Sequence, residues 1–239
     1  MRVVVVSPTY NERDNVDAFI ASVVAAVPDA DIYIVDDNSP DGTGQRVREH
    51  TEINPRVRLI ARDGPRGYAA ASREGLVRLA NDGYEVIVTI DCDLSHDAQV
   101  IPIMLRHIAD GADVVVGSRY VQGGGVRNWS LARRMLSRCG NWYTAVMLGV
   151  EVRDCTSGFR AYRSDVISAG TIAATTSNGY AFLTEVLFRL RRHGGYRIVE
   201  VPIVYENRTA GESKMSKTII SESMRRVTGW GFQRLLRRG

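Results

Sequence analysis

The sequence is poor in cysteine. Its 239 residues hold three, Cys92, Cys139 and Cys155, far apart and with no CxxC pair. That excludes a disulfide framework and a thiolate zinc site, and predicts reduced thiols in a cytosolic setting. Long apolar runs are also absent. No stretch approaches the roughly 18 apolar residues of a membrane-spanning helix. The opening MRVVVVSPTY turns polar too soon for the apolar core of a secretory leader. The expectation is a chain that does not cross a membrane but is free to lie on one. Repeats and low-complexity linkers are missing, which argues against several domains. Gly42 and Gly44 lack the third glycine of a dinucleotide fingerprint and follow the second strand, so that reading is rejected. No basic patch is interleaved with stacking aromatics. A nucleic-acid partner is therefore not expected despite a pI near 9.1.

What remains is ordinary globular material, 44% hydrophobic and 24% charged, enough for one substantial core. The net charge of +4 belongs to the tail. From Tyr205 onward there are eight basic residues against three glutamates, and the rest is close to neutral. The first 118 residues alternate between strand and helix. Strands are predicted at 3–6, 31–37, 57–62, 85–91 and 112–118. Helices are predicted at 15–27, from Gly42, at 68–80 and at 99–109. Thr9 and Glu12 have capping-box spacing for the first helix. Apolar strands alternating with helices predict an α/β domain with a mostly parallel central sheet flanked by helices. Beyond residue 120 the pattern loosens. It reads as a Gly-rich loop at 122–130, a helix at 131–148 and a strand or turn at 156–163. A helix at 180–193, a strand at 196–206, a loop at 206–217 and a final basic helix follow.

Ligands of such sheets sit outside the carboxyl ends of the strands. Those ends read SPTYNE (7–12), DDNSPDGT (36–43), DGPRGY (63–68), DCDLSHD (91–97) and GSRY (117–120). In an extended chain Asp91 and Asp93 share a face while Cys92 points away. Two convergent carboxylates suit a hard divalent cation, magnesium or manganese, or a general acid–base pair. A solvated turn is the plainer alternative. Asp36 and Asp37 offer acceptors to a base or ribose. Arg119, Arg133, Arg160, Arg208 and Lys214 are candidates for holding anionic groups, although any one alone is more often a solvated surface residue. His96 reads as structural rather than as a base.

In combination these phrases are specific. PTYNE (8–12), VDDNSPDGT (35–43), DCDLSHD (91–97), GSRYVQGG (117–124), the Trp129, Arg133 and Ser137 series, D.TSGFRAY (154–162), GYAF..E (179–185), EVPI (200–203) and R..G.SKM (208–215) stand in order. The chain resembles family 2 glycosyltransferases of the A-type fold, most closely the dolichyl- or polyprenyl-phosphate mannose synthases. The resemblance implies a catalytic domain over 1–215, with 216–239 either part of it or membrane-associating. It implies an inverting transfer of mannose from GDP-mannose to a polyprenyl phosphate. Pro8, Tyr10, Glu12, Asp36 and Asp37 would form the nucleotide pocket, and Asp91 and Asp93 the metal and diphosphate motif. Arg119, Arg133 and Ser137 would hold the lipid phosphate, with Arg134 one register step away. Arg208 and Lys214 would clamp the donor diphosphate. Asp91, Asp93 and Arg119 would carry the catalysis. No base is needed, because a phosphate monoester with a second pKa of about 6 is already largely dianionic at neutral pH.

The pattern departs from the family in the loop RDGPRGYAAASREG (62–75). Tyr68 replaces a compact aliphatic residue, and Ser95 stands where some relatives carry glutamine. Another nucleotide sugar such as UDP-glucose, or a soluble acceptor, is the alternative; a non-catalytic binding subunit is the alternative of another class. Some relatives continue into transmembrane helices. Here the last segment places Ile220, Met224, Val227, Trp230 and Leu235 near one stripe among arginines. That predicts peripheral attachment to the cytoplasmic face of a membrane or packing against the sheet. The oligomeric state is not legible.

Overall fold

A computed structural model of the chain describes residues 1–206 and 217–236. The first half alternates as expected: β1 (Val3–Thr9), α1 (Arg13–Ala26), β2 (Asp31–Asp36), α2 (Thr43–Ile53), β3 (Val57–Ala61), α3 (Tyr68–Asn81), β4 (Val86–Thr89), a short 3-10 turn at Ala98–Val100, α4 (Ile101–Ala109) and β5 (Val114–Ser118). The second half holds β6 (Gly125–Val126), α5 (Leu131–Leu148), β7 (Arg160–Arg163), α6 (Ser164–Ser168), α7 (Ala181–His193), β8 (Ile198–Pro202), β9 (Val204–Tyr205) and α8 (Lys217–Leu236).

Seven strands form one sheet in the order β3-β2-β1-β4-β7-β5-β8. Its central strands β1, β4 and β5 carry runs of valine because both faces are covered there. Val4 and Val6 point into a core shared with α3, α7 and α8, and Val5 into one shared with α1 and α4. Gly75 lets α3 settle closely on the sheet. A Cβ there would lie 2.9 Å from the Val35 side chain and 3.2 Å from that of Val6.

Most neighbouring strands are parallel, but β7 runs antiparallel to both β4 and β5. Its beginning, not its end, therefore lies at the ligand edge. The predicted strand over 196–206 divides at Ile203. Its second part, β9, pairs with β6 in a separate two-stranded sheet, so the predicted glycine loop contains a strand. The capping box is not formed. β1 stays paired with β2 as far as Thr9 and Asp36, and the Thr9 hydroxyl donates to the Asp36 carboxylate at 3.2 Å. α1 instead starts after Glu12, whose carboxylate accepts from the Asn15 side-chain amide at 2.7 Å.

The final helix packs on α5 and α7. Val227 is buried, Trp230 stacks on Phe188 with centroids 5.5 Å apart, and the Thr228 and Tyr143 hydroxyls share a hydrogen bond of 2.7 Å. Leu235 of the predicted stripe is exposed; the Ile220 side chain lies outside the described set.

Candidate active site

A cavity of about 410 Å³ opens at the carboxyl edge of β1, β2 and β4. Pro8, Tyr10, Glu12, Asp37, Asp91 and Asp93, all singled out from sequence, line it. Asp36 does not. It turns inward, where one oxygen accepts from the Ser39 hydroxyl at 2.5 Å and the other from the Ser39 amide at 3.1 Å, so it fastens the turn after β2. Asp37 is itself held by an ion pair with buried Arg62 and by the Gly67 amide at 2.6 Å. Arg62 also reaches Glu74 at 2.8 Å. These bonds tie the strand end to the loop before α3.

The convergence of Asp91 and Asp93 has a different cause from the one expected. β4 stops at Thr89, and a turn carries the acids, with Leu94 at φ 58°. Cys92 still points away, into the apolar core, where burial and then the neighbouring carboxylates raise its thiol pKa well above the ordinary value. Asp93 is 1% exposed and accepts from the Ser95 amide at 3.1 Å. His96 is wedged between Phe159 and Tyr205, with ring centroids 5.4 and 5.3 Å away. Burial pushes its pKa down to about 4, so it is a neutral packing element, as the sequence suggested. The donor set that this turn presents is thus two carboxylates, all oxygen, with Glu12 and Asp37 elsewhere on the cavity wall. Among the described residues no third His, Cys, Asp or Glu joins them into a closed cage. This arrangement fits magnesium or manganese, which keep coordination positions for phosphate oxygens.

Three further side chains line the cavity that motif reading gave no role. The Arg66 guanidinium lies 5.1 Å over the Tyr10 ring and bonds its hydroxyl. Tyr68 stacks on Tyr180 with centroids 5.1 Å apart and planes at 24°. The Tyr68 hydroxyl stands over Gly158: a Cβ there would lie 2.6 Å from it and 3.6 Å from an Asp91 oxygen. Burial, then the Asp91 charge, raises the phenol pKa well above its usual value, so Tyr68 stays a neutral donor. The departure at residue 68 was the one signal in sequence for this wall.

The cationic residues divide. Arg119, after β5, is gripped by buried Asp154 through both oxygens, each at 2.7 Å, and its side chain also donates to the Thr156 hydroxyl at 2.7 Å. Burial works against its charge, but Asp154 outweighs this and holds the guanidinium firmly protonated. The neighbouring Tyr120 hydroxyl donates to Ser137 at 2.6 Å. Arg119 lines a second cavity of about 490 Å³ with Tyr120, Arg134, Arg138 and Arg153. Arg133 does not line it; its guanidinium sits 4.1 Å over the Trp129 ring. Arg160 is fully buried. It is spent on the carbonyls of Cys155, Ser157 and Leu183 at 2.8–3.0 Å. That corrects its reading as an anion ligand: β7 carries it into the interior. Arg208 and Lys214 lie outside the described residues.

An acid-lined cavity and an arginine-lined cavity thus lie on the edge of one α/β sheet. The model of the family described as glycosyl transferase family 2 matches residues 4–170. The chain is 43% identical over 236 residues to an undecaprenyl-phosphate mannosyltransferase of Micrococcus luteus, covering 97% of this chain and 95% of that protein. It is 40% identical to a polyprenol monophosphomannose synthase of Mycolicibacterium smegmatis, covering 97% and 88%. Solved structures share the fold, two of them as follows. Glucosyl-3-phosphoglycerate synthase of Mycobacterium tuberculosis with Mn2+ and UDP has a TM-score of 0.68 at 19% identity, covering 98% of this chain and 79% of that one. A Pyrobaculum calidifontis mannosyltransferase with GDP-Man and Mn2+ scores 0.60 at 17% identity, covering 100% and 65%. The chain belongs to glycosyl transferase family 2 and is a glycosyltransferase.

Proposed function

We propose that this enzyme moves mannose from GDP-mannose to a polyprenyl phosphate, with inversion and with magnesium or manganese bound at Asp91 and Asp93. The observation that carries this reading is the pairing of the two cavities through one loop: Asp154 holds Arg119 at one end, and Gly158 packs under Tyr68 beside Asp91 at the other. The identity to polyprenyl-phosphate mannosyltransferases supports the sugar and the lipid, and the structure holding GDP-Man supports the donor.

In this reading Pro8, Tyr10, Glu12 and Asp37 receive the nucleoside, with Asp36 fixing the turn beneath. Asp91 and Asp93 would hold the metal, which when bound would supply charge to stabilise a departing diphosphate. Arg208 and Lys214 add to that charge. Arg119, pre-set by Asp154, orients the acceptor phosphate, together with Ser137, bonded by Tyr120, and Arg133, which stacks on the Trp129 ring 5.8 Å from the Arg119 guanidinium. The acceptor oxygen is already anionic, so the protein's task is alignment and exclusion of water rather than deprotonation.

Peripheral contact with the cytoplasmic face of a membrane follows from the acceptor. Among the described residues no helix is long and apolar enough to cross a membrane. Leu131, Met135, Trp142 and Val146 are nonetheless exposed along one side of α5, and Phe232 and Leu235 on α8. Such stripes flanked by arginine suit a bilayer interface.

The test is a transfer assay with labelled GDP-mannose, undecaprenyl phosphate and either metal, followed by organic extraction. Labelled, mild-acid-labile lipid is the expected outcome. Nucleotide binding without labelled lipid would overturn the reading in favour of another nucleotide sugar or a soluble acceptor, to which the Tyr68–Tyr180 wall would then point.

A further inference from the structure

The second cavity holds more positive charge than the residues assigned to the acceptor account for. Arg119, Arg134, Arg138 and Arg153 line it, and no carboxylate does. Arg119 is neutralised by Asp154. Arg134 gives one donor to the Val126 carbonyl at 3.3 Å. Among the described residues none of Arg134, Arg138 and Arg153 has an ion-pair partner. The three side chains are exposed, and the backbone fixes where they start. Arg134 and Arg138 are one helical turn apart on α5. The Arg153 and Asp154 amides both donate to the Glu200 carboxylate, at 2.8 and 2.9 Å, so one acid fixes Arg153 and the residue that holds Arg119. Like charges gathered around one concavity repel, and an anion relieves them in proportion to its own charge.

We infer that Arg134, Arg138 and Arg153 make this cavity a charge-selective site, one that prefers a dianionic phosphate monoester to a monoanionic phosphate diester. The inference rests on the acceptor reading and adds to it residues and a selectivity. In the transfer an acceptor phosphate oxygen bonds to the anomeric carbon, and the bond from that carbon to the donor diphosphate oxygen breaks. The electron pair leaves with the diphosphate. The lipid phosphate thereby changes from a dianionic monoester to a monoanionic diester. A site reading that single charge binds substrate and lets product go.

The test uses the full chain with undecaprenyl phosphate or its methyl diester in neutral detergent micelles, and measures binding directly. The wild type is expected to prefer the monoester roughly tenfold or more, as charged hydrogen bonds of ordinary strength allow. The preference should shrink below about pH 6, where the monoester takes up its second proton. Arg138→Gln and Arg153→Gln should abolish it, Arg138→Lys should keep it, and GDP-mannose affinity should not change. Inorganic phosphate competing with the monoester alone would show that the headgroup is what is read. Parallel loss of both esters in the glutamine variants would mean general lipid contact and overturn the inference, as would unchanged monoester binding. A wild type that selects the monoester yet transfers no label refutes the reaction reading alone. One that transfers label without selectivity refutes the inference alone.

Discussion

Asp154 and Arg119 form a two-pronged ion pair across 35 positions of sequence, and the Arg119 amide closes a third bond on the same carboxylate at 3.0 Å. The Arg119 side chain is 10% exposed and that of Asp154 is 0%. Removing one partner leaves a buried charge uncompensated. Asp154→Asn is therefore expected to cost about 3 kcal/mol or more in urea unfolding. Arg119→Lys keeps the charge but loses the fork. It should raise the acceptor KM roughly tenfold while the donor KM stays put. Equal loss of donor affinity, read by calorimetry, would move Arg119 out of the acceptor site.

Asp93→Asn should lower metal-dependent turnover by roughly a hundredfold or more, with the far-ultraviolet circular dichroism unchanged. A near-normal rate in metal-buffered assays would refute the metal role of the turn after β4.

The contact of Tyr68 with Gly158 gives a reciprocal test. Gly158→Ala places a methyl 2.6 Å from the Tyr68 hydroxyl, closer than unbonded atoms sit, and should depress turnover roughly tenfold or more through displaced positioning of the donor. Tyr68→Phe removes that oxygen and keeps the stack on Tyr180. The double variant should recover much of the alanine loss. Additive losses in a double-mutant cycle would show that the two residues act separately.

His96 sets an acid limit. Burial lowers its folded pKa to about 4 from an ordinary 6.5, so protons favour the unfolded chain. Its contribution is complete above pH 6.5 and is lost as the pH falls from 6.5 toward 4, on the order of 3 kcal/mol in all. Asp154 acts in the same direction lower down: burial raises its pKa, Arg119 more than reverses this, and its stabilisation goes as pH falls through the depressed value. Thermal melts of wild type and His96→Gln at pH 7 and pH 5 should show a smaller pH-induced drop in the variant. Equal drops would assign the acid sensitivity elsewhere.

Trp142→Gln and Phe232→Gln together should weaken binding to anionic vesicles severalfold, since each removes exposed apolar area. Sedimentation with vesicles checks this, and unchanged binding would place the contact surface elsewhere. Melting temperature should hold, because both side chains are exposed.

The layered sheet and the donor cavity were legible because period and strand-end chemistry are local. Five strands and four helices announce themselves in apolar runs, and PTYNE and DCDLSHD lie where such a sheet must end. What escaped is set by contacts distant in sequence. The direction of β7 depends on the path taken by α5 before it. Arg160 looks like Arg119 in a sequence, yet one is fixed by carbonyls in the core and the other faces a cavity. Asp36 and Asp37 are adjacent, and only pairing of β1 with β2 decides that Asp36 turns in. Arg138 and Arg153 carry no motif; they line one cavity because the loop after α5 is tied back to β8 through Glu200.

The reversed strand has one more consequence. Neighbouring strands stand about 4.8 Å apart, so adjacent β4 and β5 would set the chain after Asp91 and the chain before Arg119 almost side by side. Sliding β7 between them roughly doubles the gap and brings the 154–160 segment up through its middle. The sheet acts as a gauge block: its lateral repeat, rather than any one side chain, sets the distance between the acid-lined cavity and the arginine-lined one.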